Sequence, residues 1–217
     1  MTKRPVLVLG AGKAARYVAY ILSYDGDLEV FGYTDRDESK WKSTFMGKQV
    51  LGSDEEGMDQ ARRAGVRHAI LGMGTLPWVR AGLRALAEKE GFELVNAVHP
   101  TAILSPGVQL GKGVVIEAGC VLSDNPALQD NVWVGLAAMV SHDTTIGRDS
   151  TVGGRAAVGA EVTVGEQTQI GMGSVIQSGR RIGSFTIVGS GANVITDIPD
   201  KVVAVGNPAK VIKQRNV

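Results

Sequence analysis

The stretch that decides the fold is residues 140–170, VSHDTTIGRDSTVGGRAAVGAEVTVGEQTQI, where an aliphatic residue returns at every sixth position. The same phase runs without a slip from Leu104 to Val194, and each of these positions is Leu, Ile or Val. Four residues after each aliphatic the side chain is mostly small, and glycine often follows the aliphatic directly. A flexible glycine-rich linker would not keep one apolar phase over about 90 residues. The period therefore predicts a parallel β-helix in which three hexads close one coil.

Such a β-helix would form a triangular prism. Each aliphatic side chain would point into the prism and stack on its equivalent one coil later. Glycine would supply turn conformations that a Cβ opposes. Stacked coils lie ~4.8 Å apart, so we expect about five coils and a prism roughly 24 Å long. No long loop interrupts the hexads, and flat prism faces offer little concavity, whereas ligand pockets are concave. A cleft between packed prisms is therefore expected, most simply in a C3 homotrimer.

The residues before this repeat have a different composition. Nine of the eleven aromatic residues precede residue 93. Alternating β and α elements predict a small parallel sheet with right-handed crossovers. We therefore expect an α/β domain over residues 1–98 and the β-helix with its tail over residues 99–217. The predicted strands are 5–9, 28–33, 68–71 and 92–98, and the predicted helices are 13–24, 55–64 and 77–90.

Charge and cysteine content exclude several classes of protein. The 217 residues contain 23 Lys+Arg and 22 Asp+Glu, so a broad nucleic-acid surface is excluded and any anion site must be local. The single cysteine, Cys120, excludes a disulfide framework, and its small-residue position predicts a buried filler rather than a nucleophile. The chain begins without a signal-peptide pattern, and no apolar run approaches the ~18 residues of a membrane span. We expect a soluble cytoplasmic protein.

A glycine-rich loop follows the first predicted strand. Residues 10–15, GAGKAA, fit the G-x-G-x-x-A form of a dinucleotide fingerprint, and Asp35 follows the second strand. Backbone N–H groups at the start of a helix would meet the phosphates of NAD or of a nucleotide sugar equally well. A tight turn without any ligand is a third interpretation, and four strands are few for a full dinucleotide fold.

Three histidines are available for chemistry, His68, His99 and His142. His142 stands next to Asp143, and a histidine with a carboxylate is the minimal general-base pair; an inert surface histidine is the alternative. His99 opens the junction HPTA and is expected to cap the first coil. Because only one histidine lies within the repeat, a zinc site of three histidines is not expected, and we predict no metal.

Taken together, these motifs resemble the left-handed β-helix sugar acyltransferases that carry a small Rossmann-like N-terminal domain. That family includes N-acetyltransferases of nucleotide-linked 4-amino sugars and sialic acid O-acetyltransferases. The resemblance covers essentially the whole chain. It rests on the unbroken hexads and on GAG at 10–12, GYTD at 32–35, HPTA at 99–102, SHD at 141–143 and VGNPAK at 205–210.

The resemblance implies a homotrimer with active sites between adjacent prisms. It also implies acetyl-CoA-dependent acetylation of the amine of a nucleotide-linked 4-amino-4,6-dideoxy sugar, with His142 as base and Asp143 as its acidic partner. NAD is not expected. The alternatives are a sugar O-acetyltransferase and a non-catalytic nucleotide-binding trimer. The implied nucleotide-sugar residues are Gly10, Gly12, Lys13, Asp35, Arg36 and Gly72. The implied acetyl-CoA residues are Thr151, Ala160, Met172, Ser178, Ser190 and Lys210, the last with Lys213.

Overall fold

The computed structural model describes residues 3–74 and 76–217. Its contacts divide the chain into two compact units. The first unit consists of Met1–Gly74 and Gly82–Val98, and the second of Thr75–Ala81 and His99–Val217.

The first unit is built on a parallel sheet of four strands with the order β2-β1-β5-β6. The interior residues of β1 and β5 are fully buried, because helices cover a sheet whose central strands are apolar on both sides. The elements in chain order are β1 (Arg4–Leu9), α1 (Lys13–Ser23), β2 (Leu28–Thr34), a 3-10 turn (Glu38–Lys40), β3 (Thr44–Phe45), β4 (Lys48–Gln49), α2 (Asp54–Arg63), β5 (His68–Leu71), α3 (Pro77–Lys89), β6 (Glu93–Leu94) and β7 (Ala97–Val98).

Local chemistry explains where two helices begin. Ser53 and Glu56 form a reciprocal capping box at the start of α2, so two backbone N–H groups are satisfied by side chains. Helix α1 begins after Gly12, which has no side chain to cap it. The predicted helices and the first three predicted strands are confirmed to within two residues. The single strand predicted over 92–98 is wrong, because pairing with β5 ends at Val95, whose N–H donates to Ala69, and the chain then forms β6 and β7 separately.

The second unit is a β-solenoid with three faces of two-residue parallel strands. Strands on one face pair with partners 18 residues apart, as Leu122 does with Val140. Face I contains β10 (Val115–Ile116), β13 (Trp133–Val134), β16 (Thr151–Val152), β19 (Gln169–Ile170), β22 (Ile187–Val188), β24 (Val202–Val205) and the antiparallel β25 (Lys210–Gln214). Face II contains β8 (Ile103–Leu104), β11 (Val121–Leu122), β14 (Met139–Val140), β17 (Ala157–Val158), β20 (Val175–Ile176) and β23 (Asn193–Val194). Face III contains β9 (Gln109–Leu110), β12 (Ala127–Leu128), β15 (Thr145–Ile146), β18 (Thr163–Val164) and β21 (Arg181–Ile182).

The core of the solenoid confirms the hexad interpretation. The second residue of each strand from β10 to β23 is buried, and the small residues from Val114 to Ser174 are buried beside it at the corners. Cys120 is one of these fillers; its Sγ lies 3.1 Å from the carbonyl oxygen of Gly135, and burial raises its pKa to about 11, so no thiolate forms at neutral pH. Face II has six strands, compared with the expected coil number of about five, because both the first and the last of the sixteen hexad positions, Leu104 and Val194, lie on this face.

The glycines that directly follow an aliphatic residue have a different cause from the one expected. They carry no left-handed φ; a Cβ on Gly147 would lie 2.5 Å from the backbone carbon of Gly165, and one on Gly165 2.4 Å from the backbone nitrogen of Ser184. Close approach of the next coil therefore requires glycine there. At the corners, glycines such as Gly113 at φ 71° and Gly179 at φ 71° do supply the expected left-handed backbone, and other corners have non-glycine residues in it, including Asn125 at φ 59° and Asp143 at φ 53°.

Candidate active site

The paired residues His142 and Asp143 lie at the corner between face II and face III, directly after β14. Neighbouring side chains on a strand point to opposite faces, but the left-handed backbone of Asp143 breaks that alternation. As a result His142 Nδ1 and Asp143 Oδ2 are 3.0 Å apart. The predicted pair is therefore in hydrogen-bond contact, and each side chain is about half exposed in the single chain.

The electrostatics of the pair keep the carboxylate ionised. Asn125 Nδ2 donates to Asp143 Oδ1 over 2.9 Å. This hydrogen bond, followed by the contact with His142, holds the pKa of Asp143 below its ordinary value. An ionised carboxylate only accepts hydrogen bonds, so in the neutral imidazole this contact requires the proton on Nδ1 and leaves the lone pair of Nε2 to accept another.

The six predicted acetyl-CoA residues lie in four places on the solenoid. Ala160 and Ser178 stack on His142 one and two coils later, with the Ala160 N–H donating to Ser178 Oγ over 3.1 Å. Met172 and Ser190 lie at the corner between faces I and II, on the opposite edge of face II. Lys210 is exposed at the start of β25.

Thr151 differs from the other five because it is buried on face I. Its side-chain oxygen accepts a hydrogen bond from Arg80 Nη1 over 3.0 Å. Within one chain, only Ala160 and Ser178 therefore share a corner with the candidate base.

Face II presents an apolar stripe between these two corners. The first residue of each of its strands points outward, and on five successive strands that residue is apolar. Ile103 is 62% exposed and Val175 49%, so the stripe is open in the single chain. Face III has polar residues at its outward positions, such as Thr163 and Arg181. The stripe consists of Ile103, Val121, Met139, Ala157 and Val175.

The glycine-rich loop of the first unit has both steric and functional features. Gly10 adopts φ +112°, which favours glycine, and a Cβ on Gly72 would lie 2.7 Å from the Cβ of Ala15, so Gly72 is required by its packing against α1. A Cβ on Gly12 would meet nothing within 4 Å. Gly12 is therefore free of this steric requirement at the uncapped start of α1, and Lys13 beside it is exposed.

Asp35 is held against this loop rather than pointing away from it. Its Oδ2 accepts from the N–H of Ala11 over 3.1 Å and from Lys40 Nζ over 2.8 Å. Burial alone would raise the pKa of Asp35, but these hydrogen bonds, with one from the Asp37 N–H, hold it below its ordinary value. Arg36 is largely exposed, and its Nε lies 3.3 Å from an oxygen of the buried Asp54.

Comparison with known proteins places this geometry in a family. The hexapeptide repeat of succinyl-transferase family matches residues 95–124 and 143–179. The solved structure of PerB from Caulobacter crescentus, in complex with CoA and GDP-perosamine, is 33% identical, with a TM-score of 0.90 over 96% of this chain and 97% of PerB. The chain belongs to the left-handed β-helix sugar acyltransferases.

Two further solved structures support the fold of this acyltransferase. The acetyltransferase domain of PglB from Neisseria gonorrhoeae, in complex with acetyl coenzyme A, is 28% identical, with a TM-score of 0.88 over 97% of this chain and 100% of that domain. WeeI from Acinetobacter baumannii has 23% identity and a TM-score of 0.83, over 97% of this chain and 100% of WeeI, which shows the shared fold. No match was found among the curated proteins.

Several residues near the candidate sites of this acyltransferase were not predicted from its sequence. Asn125 is hydrogen-bonded to Asp143, and Asp54 to Arg36. In each case the partner lies 18 residues away in the sequence. Lys40, whose Nζ donates a hydrogen bond to Asp35, was not predicted either. For Asn125 a signal existed, because an Asn and an Asp one coil apart at a corner can stack.

The described residues contain neither a metal site nor a membrane-spanning helix. Among residues 3–74 and 76–217, no three His, Cys, Asp or Glu side chains converge as a metal site would require. Within the same described part of the chain, no helix is both long and apolar enough to span a membrane.

Proposed function

We propose that this acyltransferase transfers the acetyl group of acetyl-CoA to the amine of a nucleotide-linked 4-amino-4,6-dideoxy sugar. The single observation that carries the proposal is the His142–Asp143 contact, with a lone pair available on Nε2. The likeness to PerB, solved with CoA and GDP-perosamine, supports an amine on a nucleotide sugar as the acceptor. Transfer to a sugar hydroxyl would use the same base and is the second candidate.

The chemistry requires one base and no metal. The amine nitrogen attacks the thioester carbonyl, and His142 Nε2 accepts the proton that the nitrogen loses. The tetrahedral intermediate then collapses, the carbon–sulfur bond breaks, and the CoA sulfur leaves with that proton as a thiol. Asp143 offsets the charge of the imidazolium in between. General-base assistance of this kind accelerates a reaction by about 10²–10⁴-fold.

We propose a homotrimer in which face II of one subunit packs against its neighbour. The apolar stripe supports this assembly, because the outward residues of face III are mostly polar and those of face I are mostly buried. His142 lies at one edge of face II, whereas Met172 and Ser190 lie at the other. If a neighbouring subunit packs on the stripe, its edge with Met172 and Ser190 would lie beside the His142 edge of the first subunit. Acetyl-CoA would lie in the groove between these two edges. Lys210 would meet CoA phosphates, and Thr151 is left out of this set because its hydroxyl is buried.

We propose residues 1–98 as a Rossmann-like nucleotide-binding domain and residues 99–217 as the acyltransferase domain. Gly12 and Lys13 at the uncapped start of α1 would meet the diphosphate, with Gly10 and Gly72 shaping the loop. Arg36 is largely exposed and would reach the base or ribose, whereas Asp35 supports the loop through the N–H of Ala11. Because acetyl-CoA is a cytoplasmic metabolite, we expect the enzyme in the cytoplasm.

The activity is tested by following thiol release from acetyl-CoA in the presence of UDP-, GDP- and dTDP-linked amino sugars. Release with an amino sugar, but not with the matching 4-hydroxy sugar, supports the proposal. Release with the hydroxy sugar, giving a product that hydroxylamine cleaves, would replace it with O-acetylation. Nucleotide binding without thiol release from any acceptor would indicate a non-catalytic module.

The assembly is tested by a charged substitution in the stripe. Met139→Glu is expected to convert the trimer to monomers and to abolish turnover, because a carboxylate would be buried without a partner. Thr163→Glu, at the equivalent outward position of face III, is the matched control and is expected to stay trimeric. Sedimentation measures both, and a trimeric Met139→Glu variant would exclude face II as the interface.

A further inference from the structure

A chain of hydrogen bonds crosses two coils and ends at the candidate base. Gln109 Nε2 donates to Asn125 Oδ1 over 3.4 Å, and Asn125 Nδ2 donates to Asp143 Oδ1 over 2.9 Å. Asp143 Oδ2 then lies 3.0 Å from His142 Nδ1. Each link has a donor and an acceptor with no conflict between neighbours.

The solenoid itself brings Asn125 and Asp143 together. They occupy the same corner position in consecutive coils, and both have a left-handed backbone, with φ 59° and 53°. Equivalent residues of consecutive coils are ~4.8 Å apart, which is the distance between neighbouring strands. Asn and Asp tolerate this conformation better than most residues, so the corner presents two short polar side chains side by side.

The donor-to-acceptor direction of these hydrogen bonds fixes the orientation of the Asn125 amide and the position of the proton on the His142 ring. Because the Gln109 amide donates to Asn125 Oδ1, the Asn125 amide is oriented with its NH₂ group toward Asp143. Asp143 can only accept, so one oxygen is satisfied by Asn125 and the other faces the His142 ring. The ring must then carry its proton on Nδ1.

Asp143 needs this support because it is exposed. Its side chain is 53% exposed, so without Asn125 it could rotate toward solvent and leave the ring of His142 free to turn. Hydrogen bonds to charged groups are stronger than neutral ones. The Asn125 amide is therefore the protein contact that fixes the carboxylate at the distance His142 requires.

We propose that Asn125 is a positioning residue for acyl transfer, holding Asp143 so that His142 presents an unprotonated Nε2, with Gln109 orienting the Asn125 amide. The inference rests on the proposed function. Asn125 touches neither the substrate nor the reacting atoms in this scheme; it acts through Asp143.

The test compares Asn125→Asp and Asn125→Gly with matched variants at another corner. Gln167→Glu and Gln167→Gly make equivalent changes at a residue that also has a left-handed backbone, at φ 49°. Asn125→Gly removes the amide without backbone strain, since glycine is permissive at positive φ. Asn125→Asp keeps the shape but replaces a donor with a second carboxylate.

We expect both Asn125 variants to lower kcat about tenfold, the effect of losing one hydrogen bond to a charged group. The KM for acetyl-CoA should stay within about twofold of wild type, since binding contacts are untouched. The acid limb of kcat/KM should move to higher pH in Asn125→Asp, because the added negative charge favours the imidazolium. It should move to lower pH in Asn125→Gly, because Asp143 can then rotate away from the ring and its negative charge favours the imidazolium less. Both Gln167 variants should match wild type.

Other charges at this corner are common to all variants. They are Asp124 and Glu161, the exposed residues one coil before His142 and one coil after Asp143. The shift between variants therefore isolates the Asn125 position. Wild-type kcat together with an unmoved acid limb in Asn125→Asp and Asn125→Gly would overturn the proposal.

A spectroscopic measurement separates this inference from the proposed function. Nitrogen NMR of the imidazoles, assigned for His142 by its absence in His142→Ala, reports the tautomer without any turnover. Wild type should show the proton on Nδ1, and Asn125→Gly should show a larger fraction on Nε2. An unchanged tautomer would reject the role of Asn125 even in an active enzyme. Absence of thiol release with the expected tautomer would reject only the acetyltransferase assignment.

Discussion

Two corners of the solenoid contain the same pair of residues and use it differently. At the corner between faces II and III, Asn125 Nδ2 donates to Asp143 Oδ1 over 2.9 Å. At the corner between faces III and I, Asn131 Nδ2 donates to Asp149 Oδ1 over 2.7 Å. All four residues have a left-handed backbone, and each pair is 18 residues apart. The first pair is exposed, whereas Asn131 and Asp149 are each only 1% exposed.

The residue that meets each pair accounts for the difference. His142 contacts Asp143 of the exposed pair, and its half-exposed ring is accessible from solvent. Arg80 of helix α3 covers the buried pair, donating to the backbone oxygen and Oδ1 of Asn131 and to Thr151. Burial lowers the pKa of Arg80 to about 10, although Asp149 opposes this shift. The two corners therefore share an Asn–Asp pair and differ in its third partner, which is the candidate base at one corner and a buried arginine at the other.

The largest expected effect removes the third partner from the exposed pair. His142→Ala should lower kcat by about 10²–10⁴-fold, because general-base assistance is lost. Its thermal midpoint should match wild type, since the side chain is half exposed and adds little packing. Steady-state thiol release and a thermal melt measure the two quantities. His68→Asn is the control, expected to keep full turnover, and an active His142→Ala enzyme would remove His142 from the mechanism.

The next effect removes the third partner from the buried pair. Arg80→Met should lower the free energy of unfolding by about 3–5 kcal/mol, because it removes the charged donor of a buried network that includes Asn131 and Thr151. Urea unfolding measures this change. Arg84→Met, one turn later on α3, is the control; it loses an i,i+4 ion pair with Glu88, which is worth about 0.3–0.5 kcal/mol. Equal losses in the two variants would show that the Arg80 network contributes no special stability.

Replacing each carboxylate by an amide tests whether one corner serves activity and the other stability. Asp143→Asn should lower kcat by about 10- to 100-fold and leave stability unchanged, because an amide cannot balance the imidazolium. Asp149→Asn should leave kcat unchanged and lower stability by about 1–3 kcal/mol, the cost of an unsatisfied buried group. Loss of activity in Asp149→Asn, with its fold intact, would show that the corners are not independent.

The hexads predicted the solenoid because its core follows one simple period. Ile116, Val140 and Val158 are inward at the expected phase, and the small residues fill the corners as predicted. The cause of the glycine periodicity could not be deduced from one coil, because Gly165 is required by the backbone of the next coil. Contacts between coils depend on the rise of the helix as well as on its period.

The candidate site was only partly predictable for the same reason. His142 and Asp143 are adjacent in sequence, so their chemistry can be predicted from the motif alone. Asn125 contacts Asp143 only because the coil closes in 18 residues, and a corner Asn otherwise resembles an ordinary turn residue. Arg80 lies 51 residues before Asn131 on a helix of mixed polarity, and nothing in its local pattern marks it as buried.

The smallest expected effect is a change in the acid sensitivity of the exposed pair. The folded pKa of Asp143 lies below its ordinary value of 3.8, with the Asn125 hydrogen bond as the largest cause. A carboxyl with a depressed folded pKa adds stability above its unfolded pKa and loses it as the pH falls through the folded pKa. Asn125→Gly should therefore lose less stability than wild type when the pH is lowered from 6 to about 3.

Thermal midpoints at one fixed protein concentration measure this difference, since oligomers melt at concentration-dependent temperatures. Glycine also relieves left-handed strain at position 125, but that contribution is independent of pH and cancels when midpoints at two pH values are subtracted. Gln167→Gly controls for the same backbone effect at another corner and should follow wild type at both pH values. If the midpoints of Asn125→Gly and wild type differ by the same amount at both pH values, Asn125 does not lower the pKa of Asp143, and the exposed pair is held by His142 alone.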